Sequence, residues 1–447
     1  MTDSRIADLA IQARWIVPVD PPGSVLEHHT VMVRAGRIVA IRPTGELAGW
    51  TIGEVVDRPD HALIPGLVNA HTHAAMTLLR NAAGGLSLDD WLRRRIWPLE
   101  ARLVDEGFVE DGTLLAIAEM LLSGITCFAD MYYHPDVAAR VAAHSGIRAA
   151  IGLPVLEAPS AWAEDLDAYL ERGLRLRDAY RDDPLVGTLF VLHSPASTSD
   201  ATLQRVRMLA DQLQAPVMTH LLESPTDRAR EERRHGRGPL ERLSAAELVN
   251  DLLIAVHCVQ LNTAEIGQLA ESGATVVHCP SSNLKLAAGI APVHELRRAG
   301  VPVALSTDGA ASNDALDLLG EARLAALLAA GTTGDADALP PQDALYMATL
   351  GGARALGLGE ATGSITRGKW ADLVSLRLDG PMVQPLHDIP AAIIHSAGRT
   401  AVCDTWVAGR RLVADGRLTR LSPREIHGRG AAWRPRVLAA IEGIAGQ

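Results

Sequence analysis

At 447 residues, with 48% hydrophobic and 21% charged positions, the chain can bury a substantial core and hold one large domain beside a smaller one. The net charge of −11 disfavours a nucleic-acid or anionic-membrane surface, because phosphate binding needs a clustered basic face; a small-molecule partner is expected instead. The polar N-terminus and the lack of any apolar run of about 18 residues argue against secretion and membrane insertion.

Residues 6 to 60 read as short strands, Ile6–Val19, Thr30–Val33 and Arg37–Ile41, separated by turn signals such as Pro21-Pro22-Gly23 and Ala35-Gly36. They form part of a small β-sandwich that this segment alone cannot close. From residue 63 the pattern changes to apolar, strand-sized runs alternating with amphipathic helical segments, the signature of βα units around a parallel sheet. Eight runs stand out: Leu63–Ala70, Ile125–Ala129, Arg148–Val155, Gly187–Leu192, Pro216–Thr219, Leu252–Val256, Ala274–Val277 and Val301–Ser306. Eight units predict an α/β fold, a (β/α)8 TIM barrel over residues 63–362. The charged run Asp227–Arg237 reads as a solvated helix with its loop. After a helical stretch at Gln342–Leu356, strand character returns at Ala371–Val374 and in two strands around Ala408-Gly409-Arg410. Residues 1–62 and 363–447 are therefore expected to make one discontinuous β-sandwich domain ending in a helix near Val437–Ile444. The cysteines, Cys127, Cys258, Cys279 and Cys403, contain no Cys-x-x-Cys; buried reduced thiols and a cytoplasmic location are expected.

Barrel active sites lie at the C-terminal ends of the strands, so the residues that follow each apolar run carry the chemistry. His71 and His73 follow the first run, His193 the fourth, His220 the fifth, His257 the sixth, His278 the seventh and Asp308 the eighth. That is six of the 16 histidines and an aspartate at one rim. Positions i and i+2 of a strand share a face, so His71 and His73 can aim at one point. His71, His73, His220 and Asp308 supply the nitrogen and oxygen donors of a catalytic zinc site, where a bound metal lowers the pKa of water from 15.7 to about 7. Glu223, three residues past His220, misses the metal and can exchange protons with a substrate beside it. His257 can hydrogen-bond the oxygen at the metal.

These residues resemble the amidohydrolase superfamily: Pro65-Gly66-Leu67-Val68-Asn69-Ala70-His71-Thr72-His73, His220 with Glu223, His257-Cys258 and Ser306-Thr307-Asp308-Gly309. Within it the chain resembles the 5-methylthioadenosine/S-adenosylhomocysteine deaminase group, through Met76-Thr77-Leu78-Leu79-Arg80, Trp97-Pro98-Leu99-Glu100, His278-Cys279-Pro280-Ser281-Ser282-Asn283-Leu284-Lys285-Leu286 and Asp308-Gly309-Ala310-Ala311-Ser312-Asn313. The resemblance implies one divalent metal, Zn2+ or alternatively Fe2+, on His71, His73, His220 and Asp308, with Glu223 as proton shuttle and His257 orienting the water. It also implies that Glu100 accepts hydrogen bonds from ribose hydroxyls and that His193 contacts the nucleoside. The expected reaction is hydrolytic deamination of an adenine nucleoside to its inosine counterpart; a homo-oligomer is also expected. Binuclear relatives use a carboxylated lysine at the end of strand four; here that strand ends on His193, and the two lysines, Lys285 and Lys369, lie elsewhere. One departure falls at Pro195-Ala196-Ser197, where the group usually shows Pro-Tyr-Thr. A hydrolase of guanine-like or s-triazine rings is the alternative, disfavoured by Glu100. A cytidine-type zinc deaminase would need Pro-Cys-x-x-Cys, which the chain lacks.

Overall fold

The computed structural model describes residues 5–445. Eight parallel strands form the barrel: β5 (Leu67–Thr72), β6 (Ile125–Asp130), β7 (Arg148–Pro154), β8 (Val186–Leu192), β9 (Val217–Leu221), β10 (Leu253–His257), β11 (Thr275–His278) and β12 (Val303–Leu305). They pair in sequence order. The seam between β5 and β12 is bridged by side chains: Asn69 Nδ2 donates to Thr307 Oγ1 at 2.7 Å, and the Thr307 amide donates to Asn69 Oδ1 at 3.0 Å. Alternate strand residues, among them Val68, Cys127, Met218, Ile254 and Val277, fill the interior. The opposite faces pack on surrounding helices, as the pleat requires.

A second, mixed sheet uses both ends of the chain. Its N-terminal strands are β1 (Ile6–Ile16), β2 (Leu26–Arg34), β3 (Arg37–Pro43) and β4 (Thr51–Pro65). Its C-terminal strands are β13 (Leu373–Arg377), β14 (Val402–Val407), β15 (Arg410–Ala414) and β16 (Arg417–Leu418). The order β16-β15-β14-β13-β4-β1-β2-β3 puts the junction of the two halves at β4 and β13, which run antiparallel with Leu373 opposite Pro65.

The run expected as one strand over Leu63–Ala70 is two. Leu63-Ile64-Pro65 finish β4 in the mixed sheet, and the barrel begins at Leu67. Gly66 is the hinge, and it passes so close to β6 that a Cβ there would lie 2.0 Å from Thr126 Oγ1. The helix expected near Val437–Ile444 spans Pro423–Ala445 and packs on the barrel helices Trp97–Leu103 and Glu106–Leu122. All four cysteines are free thiols; Cys127, Cys258 and Cys279 are buried and Cys403 half-buried. Among the described residues no helix is long and apolar enough to cross a membrane.

Candidate active site

The strand ends bring His71, His73, His220 and Asp308 to one point. Asp308 Oδ1 lies 3.4 Å from Nε2 of both His71 and His73, and His220 Nε2 lies 3.2 Å from His71 Nε2. The edges of a tetrahedron with metal–nitrogen bonds of 2.0–2.1 Å measure about 3.3 Å, so these separations suit donors sharing one ion. The far side of each ring supports the same arrangement. His73 Nδ1–H donates to the Met131 carbonyl at 2.5 Å and His220 Nδ1–H to the His193 carbonyl at 2.7 Å, which leaves both Nε2 lone pairs facing the centre. His71 Nδ1 rests 3.1 Å from the Met218 sulfur. Burial pushes the His71 ring down to about 4, so it stands neutral, as a ligand must. Burial would raise the Asp308 carboxyl, but the histidines around it hold it well below the usual range. Asp308 also accepts from Ser282 Oγ at 2.7 Å and Ser312 Oγ at 2.9 Å on Oδ2, and from the Gly309 amide at 2.7 Å on Oδ1.

His257 and Glu223 stand beside this cluster, with His257 Nε2 3.6 Å from Glu223 Oε2. One ring nitrogen of His257 also lies within 4.8 Å of ring nitrogens of His71 and His220. Burial, then the charges of Asp308, Asp227 and Asp89, push the Glu223 carboxyl well above its usual range, which favours its protonated form. The backbone is strained here: Leu222, His257 and Asp308 have φ of 47°, 72° and 58°, values L residues avoid unless the surroundings impose them.

His73, His220, Glu223, His257 and Asp308 line a cavity of about 1200 Å³, open mouth included. Glu100 faces it from the helix Trp97–Leu103, next to Tyr132, and burial raises its carboxyl to about 7. His193 also lines it, and burial lowers its ring to about 4. Of the rim histidines, His71 and His278 do not line the cavity; both are buried, and among the described residues His278 Nδ1 has no hydrogen-bond partner. Pro195 and Ala196 are part of the wall.

One reading changes, and two lining residues are added. The helix Asp227–His235 is not simply a solvated face, because Asp227, Arg230 and Glu231 line the cavity and Glu231 is buried in an ion pair with Arg242 at 2.5 Å. Arg230 is held by Asp89 and, at 3.6 Å, by Asp227. Tyr132 and Tyr133 were missed, although they follow β6 and the strand-end rule that selected the histidines applies to them equally. Lys285 takes a structural part, pairing with Asp314 at 2.5 Å outside the cavity.

The sequence pattern of the amidohydrolase family matches residues 62–412. A 5-methylthioadenosine/S-adenosylhomocysteine deaminase of Teredinibacter turnerae is 42% identical over 98% of this chain and 99% of its own length. A 5′-deoxyadenosine deaminase of Methanosarcina mazei is 37% identical over 94% and 96%. The crystal structure of an adenosine deaminase from Xanthomonas campestris with bound zinc superposes with a TM-score of 0.96 at 47% identity, covering 97% of this chain and 99% of that one.

Proposed function

Because the chain belongs to the amidohydrolase family, we propose that it is a metal-dependent hydrolase that removes the 6-amino group of an adenine nucleoside of the 5-methylthioadenosine, S-adenosylhomocysteine, 5′-deoxyadenosine and adenosine class. The products are the inosine counterpart and ammonia. What supports the reading most is one cavity lined by His73, His220, Asp308, the Glu223–His257 pair and a buried Glu100, with His71 closing the donor cluster behind it.

One divalent cation on His71, His73, His220 and Asp308, zinc first and iron second, would supply the Lewis acidity that brings water toward a pKa of about 7. Glu100 accepts hydrogen bonds from the ribose hydroxyls, and His193 packs against the nucleoside. His257 orients the attacking water through Nε2. As its oxygen bonds to C6, Asp308 takes a proton from the water on its carboxylate and Glu223 delivers one to N1, so charge is neutralised where it forms. Asp308 then passes its proton to the exocyclic nitrogen, the C–N bond breaks and ammonia leaves. Glu223 recovers a proton from the C6 hydroxyl, and the carbonyl forms. Atoms and protons balance, and both carboxyls return to their starting states.

The test is ammonia release by metal-replete enzyme from methylthioadenosine, S-adenosylhomocysteine, 5′-deoxyadenosine, adenosine and guanine. Release from the 6-aminopurine nucleosides, with the ultraviolet change to a hypoxanthine chromophore, is expected. Activity on guanine alone, or on none of them, sinks the nucleoside reading. The division into residues 1–62 with 363–447 and residues 63–362, a homo-oligomeric state and a cytoplasmic location belong to the same proposal.

A further inference from the structure

The segment His278–Lys285 contributes neither a ligand nor a proton carrier to the reading above, yet its short helix, Pro280–Lys285, touches the site twice. Ser282 Oγ donates to Asp308 Oδ2 at 2.7 Å. The next residue, Asn283, presents Oδ1 to His257 Nδ1 at 2.8 Å. Asn283 is 1% exposed, and among the described residues its side-chain Nδ2 has no hydrogen-bond partner. The helix is anchored from behind. Glu321, 3% exposed, accepts from the Ser281 amide at 3.0 Å and from Asn313 Nδ2 at 2.9 Å, which ties the turn after β11 to the turn after Asp308.

An imidazole in a strand end with left-handed backbone is not aimed by a relaxed main chain; His257 and Cys258 have φ of 72° and 51°. Something outside the strand must set the ring. We propose that Asn283 is the positioning residue that does so. Its carbonyl oxygen accepts from Nδ1–H, which fixes the tautomer with the proton on Nδ1 and leaves the Nε2 lone pair toward Glu223 and the reacting centre. This rests on the deaminase reading. Ser282 braces Asp308 from the same turn, so one helix sets the relative position of two groups that arise on different strands. Asp308 keeps a second hydroxyl, from Ser312, whereas His257 Nδ1 has the Asn283 oxygen alone among the described residues.

The experiment compares Asn283→Leu, which is apolar and cannot accept, with Asn283→Asp, which keeps an acceptor in the same place. In Asn283→Leu, kcat should fall about ten- to a hundredfold, with KM and affinity for the inosine-type product changed by less than about threefold. Metal content should stay at the wild-type stoichiometry. Affinity for a nucleoside analogue with a tetrahedral, hydroxyl-bearing carbon in place of C6 should fall by the same factor as kcat/KM, because the oriented ring acts on that geometry alone. Asn283→Asp should recover activity to within about tenfold of wild type. Loss confined to KM, loss of metal, or equal damage in both variants overturns the assignment, as does an unimpaired Asn283→Leu. If Asn283→Leu does not fold, Asn283→Ala and Asn283→Asp give the same contrast. A wild-type enzyme inactive on every nucleoside overturns the deaminase reading and this assignment together; an active one separates them.

Discussion

At the scale of single residues, the site depends on pairs whose surroundings push them apart. Burial and the charges of Asp308, Asp227 and Asp89 push the Glu223 carboxyl well above its usual range, while the histidines facing Asp308 hold that carboxyl well below it. Glu223→Gln should therefore lower kcat by about 10² to 10⁴ with metal content unchanged, read by steady-state kinetics beside metal analysis. Wild-type turnover in this variant would remove Glu223 from the mechanism. Glu100 behaves differently: burial raises its carboxyl to about 7, and in the proposed role it must be ionised to accept two ribose hydroxyls. Its binding contribution appears as pH rises through that value, so kcat/KM for a nucleoside should climb across neutrality and the climb should vanish in Glu100→Gln. The histidines and Asp308 were legible because each sits where an apolar run ends, a position the barrel makes chemical. Asn283 was not legible as a partner of His257, since its role depends on a left-handed turn at the end of β10 that no spacing rule encodes.

At the scale of elements, the eight barrel runs were visible as apolar blocks, whereas β4 was not. Its first ten residues, Thr51–Asp60, are mostly exposed or half-exposed and carry no hydrophobic block; pairing with β1 makes them a strand. The break at Gly66 was hidden for the opposite reason, because apolar residues flank it on both sides and only the close approach to Thr126 separates the two sheets. The C-terminal helix could be read as helical but not assigned a place. Trp433 fixes that place. It packs edge-on against Phe108 with ring centroids 5.2 Å apart, and its Nε1 donates to Asp111 at 2.9 Å. Farther along, the carbonyls of Ala440 and Gly443 accept from Arg102, on the helix that carries Glu100. Trp433→Ala should lower stability by about 3–5 kcal/mol in denaturant titration and should raise KM for the nucleoside more than it lowers kcat. A change in kcat alone would contradict this mechanical link to Glu100.

At the scale of the whole molecule, the barrel and the mixed sheet are fastened by a buried ion pair. Arg148, at the start of β7, gives Nε to Asp372 Oδ2 at 2.8 Å and Nη2 to Oδ1 at 3.2 Å. Asp372 also accepts from Thr362 Oγ1 at 2.9 Å and from the Ala408 amide at 2.7 Å. Asp372→Ala strands the Arg148 charge inside the protein and should cost about 3–5 kcal/mol, measured by equilibrium unfolding. Within the mixed sheet, burial would raise the buried Asp404 carboxyl, but Arg58, Ser375 and Arg411 hold it far below the usual range. That stability is present above the unfolded carboxyl value of about 4 and is lost as pH falls below it. Acid unfolding should therefore steepen there, and Asp404→Asn should flatten the slope. The architecture was legible because βα alternation and returning strands leave few alternatives; the closure of the sheet by both chain ends was legible only as a need, since the first 60 residues could not complete a layer. That closure has a consequence for biosynthesis. A nascent chain leaves the ribosome with β4 already made and its β13 partner still about 300 residues from translation. Throughout elongation one edge of the N-terminal strands stays open to pairing with other chains. The enzyme's yield in a cell is therefore sensitive to translation speed and chaperone supply, and these act long before any substrate is met.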